Sequence, residues 1–371
     1  MPTASSIATL IKINIARLLF CDTGCDFSFP EIARAELKPR MHQIEGQQRI
    51  GAVVELPQVL REMGQDPRTV IADAGISPDL LRNPENSLSF RELGRLFAAC
   101  VAATKCEHFG LLVGERSTTA SLGLVGRLMR TAPTLKDAIL DLCTNQRRYV
   151  RGAVTYLVVQ NDVAFWGYAI HYPGMEAVEQ ISDGAIAVGF NIMRELVGAT
   201  PDQILSSRKA PSDTAPFRRF FGRAPRFDAE QHAMAFPASL LDRPVLSADQ
   251  ELRRILQKSV AAYWALEQPS ITHTVTRLLR ARVIFPDTSL EAVASELSMQ
   301  PRTLNRRLQA EGKSYRELVN EARFEVARQL LAGTRMDITD IALALGYAAP
   351  SAFTHAFQRW SGVPPSEWRA Q

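Results

Sequence analysis

The feature that most constrains this chain is a repeat written into its last hundred residues. Leu290, Val293, Ala294 and Leu297 recur as Ile338, Ile341, Ala342 and Leu345, an offset of 48. Pro301, Leu304 and Leu308 recur as Pro350, Phe353 and Phe357 at an offset of 49, and Gly312 recurs as Gly362 at 50. A pattern repeated at this period marks two copies of one supersecondary unit. Each copy reads as a short helix, a tight turn and a second helix, with Ala294 and Ala342 kept small where two helices cross closely. Thr288-Ser-Leu-Glu291 has the spacing of a capping box for the first copy, and Gly346 supplies the turn of the second.

The second helix of each copy has two faces. At 3.6 residues per turn, Leu304 and Leu308 share one face while Arg302, Asn305 and Arg306 share an arc of roughly 100° opposite. In the second copy the equivalent arc is Ser351, Thr354 and His355, facing away from Phe353 and Phe357. One face packs on its own domain and the other is free to enter a DNA major groove. There Arg pairs bidentately with guanine O6 and N7, and Asn with adenine N6 and N7. Residues 299–316 hold five basic side chains (Arg302, Arg306, Arg307, Lys313, Arg316) against one acid, Glu311. A lone basic helix is usually just a solvated face; two phased copies argue for a nucleic-acid reader.

These residues bring the chain close to a known family. The run from Ile341 to Arg369, with Gly346-Tyr-Ala-Ala-Pro350 and Phe353-Thr-His-Ala-Phe357 at its centre, resembles the signature of the AraC/XylS family of bacterial transcription regulators. The resemblance covers about the last 100 residues and implies seven helices, with two helix-turn-helix units joined by a long helix at about Tyr315–Leu331. It further implies that the second helix of each unit reads DNA, which falls on Arg302, Asn305 and Arg306, and on Ser351 and His355. Arg359 is placed for a phosphate contact. This sequence departs from a symmetric reader: Pro350, Ser351 and Ala352 offer few long donors, so phosphate contacts and DNA shape carry more of the second half-site.

Upstream the text differs. Helical periodicity runs over Val53–Met63, Pro67–Ala74, Ser89–Thr104 and Leu135–Arg148. Val154–Gln160 and Val163–His171 are β-branched and aromatic runs around Asn161-Asp162, the signature of a hairpin. A long helix comes next at Val178–Val197 and stops at Gly198, and residues 201–244 carry short strand-like pieces among prolines. The fold class is therefore α+β: a mixed N-terminal sensor domain followed by an all-α C-terminal domain. The expected organisation is a tail over 1–40, an effector-sensing domain over 41–250, a connecting helix and linker over 251–270, and the DNA-binding domain over 271–371. The tail differs in composition from the sensor domain, and Met41 is an alternative start.

The sensor region resembles the effector domain of a subgroup of the same family that includes regulators of amino-acid catabolism. Gly123-Leu-Val-Gly126 before Ala132-Pro-Thr-Leu135, and Phe217–Phe221 leading to Phe227 and Leu240, carry that resemblance. It is not a cupin barrel, since one hairpin and a helical opening supply too few strands. Tyr149, Trp166, Tyr168, His171 and Phe190 are candidates for an apolar effector pocket with polar tips, although such residues also build ordinary core.

Composition narrows the rest. With 371 residues, 46% hydrophobic and 22% charged, the chain is an ordinary folded protein, and its net charge of +4 is too small to argue for nucleic acid alone. Five cysteines (Cys21, Cys25, Cys100, Cys106, Cys143) at irregular spacings suit a reducing cytoplasm and form no zinc pattern. The apolar stretch Ile7–Cys21 is interrupted by Lys12, Asn14 and Arg17, and no run is long enough to span a bilayer. Dinucleotide, Walker A, zincin and nucleophile-elbow motifs are missing, so no catalytic residue, metal or cofactor is expected. The expectation is a cytoplasmic activator whose partners are a double-stranded DNA operator, RNA polymerase, a small-molecule effector and a second copy of the chain, with no membrane. The alternatives are a thiol-responsive regulator using Cys100, Cys106 or Cys143, and a DNA-binding enzyme of the alkyl-transfer kind. The latter lacks the Pro-Cys-His-Arg sequence it would need.

Overall fold

A computed structural model describes residues 47–146, 150–171, 174–267, 270–282, 288–297 and 299–370. The tail over 1–40, Met41, Cys21, Cys25 and the candidate Tyr149 lie outside the described residues. The described residues belong to one compact unit.

In the sensor region, β1 (Gln47–Arg49) precedes α1 (Leu56–Glu62), α2 (Pro67–Asp73), β2 (Ser87–Ser89) and α3 (Phe90–Thr104). Next come α4 (Phe109–Gly114), α5 (Gly123–Arg130), α6 (Leu135–Asn145) and β3 (Val150–Arg151). The hairpin strands are β4 (Ala153–Gln160) and β5 (Val163–Ile170), followed by α7 (Val178–Val197), β6 (Gln203–Leu205), α8 (Ala215–Phe221) and β7 (Ala233–Pro237). All strand pairs are antiparallel, in a small sheet of order β2-β1-β3 and a larger one of order β4-β5-β7-β6.

Local chemistry explains the main elements. Asn161 and Asp162 take φ of 50° and 61°, the left-handed pair that a two-residue hairpin turn demands. Ser89 and Glu92 close a capping box that starts α3. Helix α6 is shorter than its periodicity predicts and ends at Asn145. The Gln146 side chain turns into the sheet instead, accepting from Thr155 N at 2.5 Å and donating to the Ala153 carbonyl at 3.3 Å.

Helix α9 (Gln250–Glu267) leaves the sensor region and leads to seven helices. These are α10 (Ile271–Arg282), α11 (Leu290–Glu296), α12 (Pro301–Ala310), α13 (Tyr315–Gly333), α14 (Ile338–Ala344), α15 (Pro350–Ser361) and α16 (Pro365–Ala370). The pairs α11–α12 and α14–α15 are the two helix-turn-helix units. Ala294 and Ala342 are fully buried at the helix crossings. The expected capping box at Thr288 is corrected: Ser289 is the N-cap, accepting from Ala292 N at 3.2 Å. Glu291 then stands at the second helical position, one short of the place from which a box side chain reaches back. A true box occurs instead at Ser314 and Glu317, where α13 begins.

Candidate nucleic-acid interface and sensor cavity

Both second helices start with Pro at their first position, where a missing N–H costs nothing. In α12, Leu304 and Leu308 are fully buried while Arg302, Arg306 and Arg307 are exposed and Asn305 is half-buried. Arg302 and Arg306 form no ion pair among the described residues. The charge on this face is therefore unspent. In α15, Phe353 and Phe357 are buried, with Ser351, His355 and Arg359 exposed. The Thr354 hydroxyl donates back to the Pro350 carbonyl at 3.0 Å, so one polar group of this face is already committed to its own helix.

The units differ beneath their surfaces. The first packs on aliphatic residues. Around the second, Phe357 meets Phe324 at 5.3 Å, Phe353 at 5.7 Å and Trp368 at 5.9 Å between ring centroids, and Tyr347 meets Phe353 at 5.5 Å. Nineteen residues of α13 span ~28 Å between the units at 1.5 Å per residue.

Glu311, which sequence reasoning left as the one acid of a basic stretch, has a specific task. From the turn after α12 it accepts from Ser270 Oγ at 2.6 Å, Ile271 N at 3.0 Å and Thr272 N at 3.0 Å. It thus caps α10 from a distance. The Ser270 hydroxyl bond, joined by those from Thr272 and Ile271, pulls its carboxyl down to about 2.

The sensor region holds a partly open cavity of about 120 Å³. This is the scale of an engineered cavity of roughly 150 Å³ that binds benzene. Its walls are mainly apolar, among them Val53, Phe97, Val113, Ile192 and Met234. Of the predicted pocket residues, Trp166 and Tyr168 line it; they stand two apart on β5 and so share one face. His171 and Phe190 do not line it. His171 falls on the opposite parity beyond the strand end, and Phe190 packs on Phe220 (tilted) and Phe221 (edge-on), with ring centroids 5.2 Å away in each case. Burial raises the Tyr168 phenol above its ordinary range, so it remains a hydrogen-bond donor. Arg49 and Gln146, which also line the cavity, had no signal in the sequence, since each stands in a polar run, Gln47-Gln-Arg49 and Thr144-Asn-Gln146, that reads as ordinary surface.

The other side of β5 faces the DNA-binding helices. Gly333, at the end of α13, is so close to the strand that a Cβ there would lie 2.9 Å from Ala169 Cβ and 3.0 Å from the Ile170 carbonyl. Beside it Arg335 donates its backbone N–H to the Glu230 carbonyl at 2.7 Å and its guanidinium to the Ala229 carbonyl at 2.6 Å and Asp228 at 3.1 Å. Gln160 at the end of β4 donates to Asp340 of α14 at 3.0 Å. Elsewhere Arg253 of α9 binds Asp141 of α6 through two bonds of 2.7 and 3.1 Å, and Arg277 of α10 reaches Asn145 at 3.2 Å.

Cys100 and Cys106 are buried and Cys143 half-buried, all free. Burial pushes the Cys100 and Cys143 thiols up to about 12, and raises Cys106 as well. A sensor thiol needs the opposite, a stabilised thiolate within reach of solvent. Among the described residues no His, Cys, Asp and Glu side chains group to hold a metal, and no helix is long and apolar enough to cross a membrane.

Two helix-turn-helix units joined by one long helix, docked against a mixed domain with a cavity, define a DNA-binding regulator with a ligand-binding domain. Comparison with known proteins makes this specific. Residues 64–245 match the family described as the arabinose-binding domain of AraC transcription regulator, N-terminal, and residues 293–371 match a helix-turn-helix domain family. The chain is 29% identical over 318 residues to the HTH-type transcriptional regulator VirS of Mycobacterium tuberculosis (strain H37Rv), spanning 84% of this chain and 93% of that one. It is 27% identical over 316 residues to the ornithine utilization regulator of Pseudomonas aeruginosa, with the same coverage, 84% and 93%. The crystal structure of the transcriptional regulator CdpR from Pseudomonas aeruginosa aligns over 84% of this chain and 97% of that one, at 22% identity and a TM-score of 0.42. The chain belongs to the AraC/XylS family: it is a DNA-binding transcriptional regulator with an N-terminal ligand-binding domain.

Proposed function

We propose that a small-molecule effector occupies the sensor cavity and changes how the DNA-binding helices are held, in a cytoplasmic regulator that activates transcription with RNA polymerase. The single observation that carries this reading is the position of β5. One face of the strand presents Trp166 and Tyr168 to the cavity, and the next residues, Ala169 and Ile170, touch Gly333 at the end of the helix that joins the two readers. A ligand that shifts β5 by a few tenths of an ångström meets a close-packed contact with no slack, so the shift passes to α13. Ligand binding then biases two placements of the same module, which is the thermodynamic content of control by an effector.

Base reading is assigned to Arg302, Asn305 and Arg306 in one major-groove segment, and to Ser351, Thr354 and His355 in the next, with Arg359 on phosphate. The operator is double-stranded DNA, and two copies of the chain bind it as a homodimer. The test is a reporter driven by an operator selected from random DNA. Ala185, on the cavity wall, is enlarged by Ala185→Phe, which is expected to hold output in one state irrespective of growth condition. Gly333→Ala is expected to uncouple output from condition while DNA binding persists. A normal conditional response in both variants would sink the proposal.

A further inference from the structure

This inference rests on the cavity being the effector site and addresses what kind of molecule it takes. Among the described residues the lining includes one cationic side chain, Arg49, and no carboxylate. Arg49 is the last residue of β1 and is only 8% exposed. Its Nη1 donates to Glu85 Oε1 at 2.8 Å and its Nη2 to the Ser121 carbonyl at 3.3 Å. The guanidinium sits in a built cradle. A Cβ on Gly51 would lie 2.6 Å from Nη2, and one on Gly123 would lie 3.0 Å from Nη1, so these glycines leave the space it fills. Its carboxylate partner among the described residues is of another kind: Glu85 is 63% exposed, and an ion pair with so exposed a partner contributes little. Trp166 Nε1 and Tyr168 Oη, both on the cavity wall, have no hydrogen-bond partner among the described residues.

We infer that the effector is a small organic monocarboxylate with an apolar body. Its carboxylate is received by Arg49 in competition with Glu85, and its body lies against the apolar wall. A guanidinium fork matches a carboxylate in plane, and one cation balances one negative charge, which disfavours a phosphate dianion. A ligand carrying an ammonium finds no lining carboxylate among the described residues, and burying that charge unpaired is costly.

The test uses the full chain and six probes in two matched sets: 3-phenylpropanoate, 3-phenylpropanamide and 3-phenylpropylamine, and hexanoate, hexanamide and hexylamine. Melting midpoints and calorimetric dissociation constants are measured for each. At least one carboxylate is expected to bind about tenfold or more tightly than its amide, the ratio that a hydrogen bond to a charged group supports, and neither amine is expected to shift the midpoint. Arg49→Gln should erase the preference of carboxylate over amide. Because Arg49 is buried and its replacement threatens folding, Glu85→Gln provides a second arm: removal of the exposed competitor should tighten carboxylate binding and leave amide binding unchanged. Unchanged or weakened carboxylate binding in Glu85→Gln overturns the inference. Amides or amines binding as tightly as carboxylates overturn the ligand class and leave the cavity reading intact. Silence from all six probes, or binding that survives Ala185→Phe, overturns both.

Discussion

The two helix-turn-helix units share a plan and differ in what they spend residues on. The first turns three long polar groups, Arg302, Asn305 and Arg306, outward from an aliphatic core, and its two cations find no anion among the described residues. The second has Ser351, Thr354 and His355 on the equivalent arc, with Arg359 one turn further on, and builds its core from rings, Phe324, Phe353, Phe357 and Trp368. It is also the unit whose leading segment, Gly333 to Asp340, docks on the sensor sheet. A duplicated fold does not imply a duplicated role. One copy exposes cations with no ion pair among the described residues, and the other is built on packed rings beside the sensor region.

The largest expected effect tests the core of the second unit. Phe357→Ala removes a fully buried ring and should lower unfolding free energy by about 3–5 kcal/mol in urea titrations. Leu308→Ala, its counterpart in the first unit, should cost about 2–5 kcal/mol and sit lower within a matched pair. A larger loss at Leu308 would reverse the assignment of the stable unit.

Next comes reading. Arg306→Ala should cost about 1–3 kcal/mol of discrimination at one major-groove segment, since a bidentate contact to guanine is worth that much. Ser351→Ala should change little. Sites selected from random DNA by wild type and both variants give the answer, and equal information content in the two segments would break the comparison.

Arg359→Ala is expected to weaken binding by a similar factor on every sequence and flatten the slope of log K against log salt by about one. A sequence-selective loss would move Arg359 from phosphate to base contact.

The smallest effect concerns acid. Glu311 is held down to about 2 by its bonds to the start of α10, below an unperturbed carboxylate at 4.5. A group with a depressed folded value contributes stability above the unfolded value and loses it as pH falls through the folded one. The contribution of this cap is thus full above pH 4.5 and disappears towards pH 2. Because the carboxylate is exposed, the effect is small. Glu311→Gln should flatten the acid limb of a stability profile measured over that window, and an unchanged limb would show that the remote cap contributes nothing.

Much of this molecule is legible in the chain. The period of the repeat, the prolines that open α12 and α15, the Asn161-Asp162 turn and the Gly198 stop are local signals that act within a few residues, and each holds in the structure. The cap at Thr288 failed by one residue because two hydroxyl side chains stand in sequence, and only the entry angle of the backbone selects Ser289. The pocket was half legible for a related reason. Aromatic residues mark β5 as a strand with something to cover, yet parity and packing decide that Trp166 and Tyr168 line the cavity while His171 and Phe190 turn elsewhere.

What the sequence by itself determined, then, is two phased helix-turn-helix units with one polar face each, because helical period and turn chemistry are read from neighbours in the chain. What the tertiary structure decided is which distant residues meet. Arg49 reaches the Ser121 carbonyl, Glu311 caps a helix that starts 40 residues earlier, and Gly333 lies against Ala169. No local pattern encodes those meetings, because each depends on loops closing between segments far apart and on the close packing that leaves room for one arrangement.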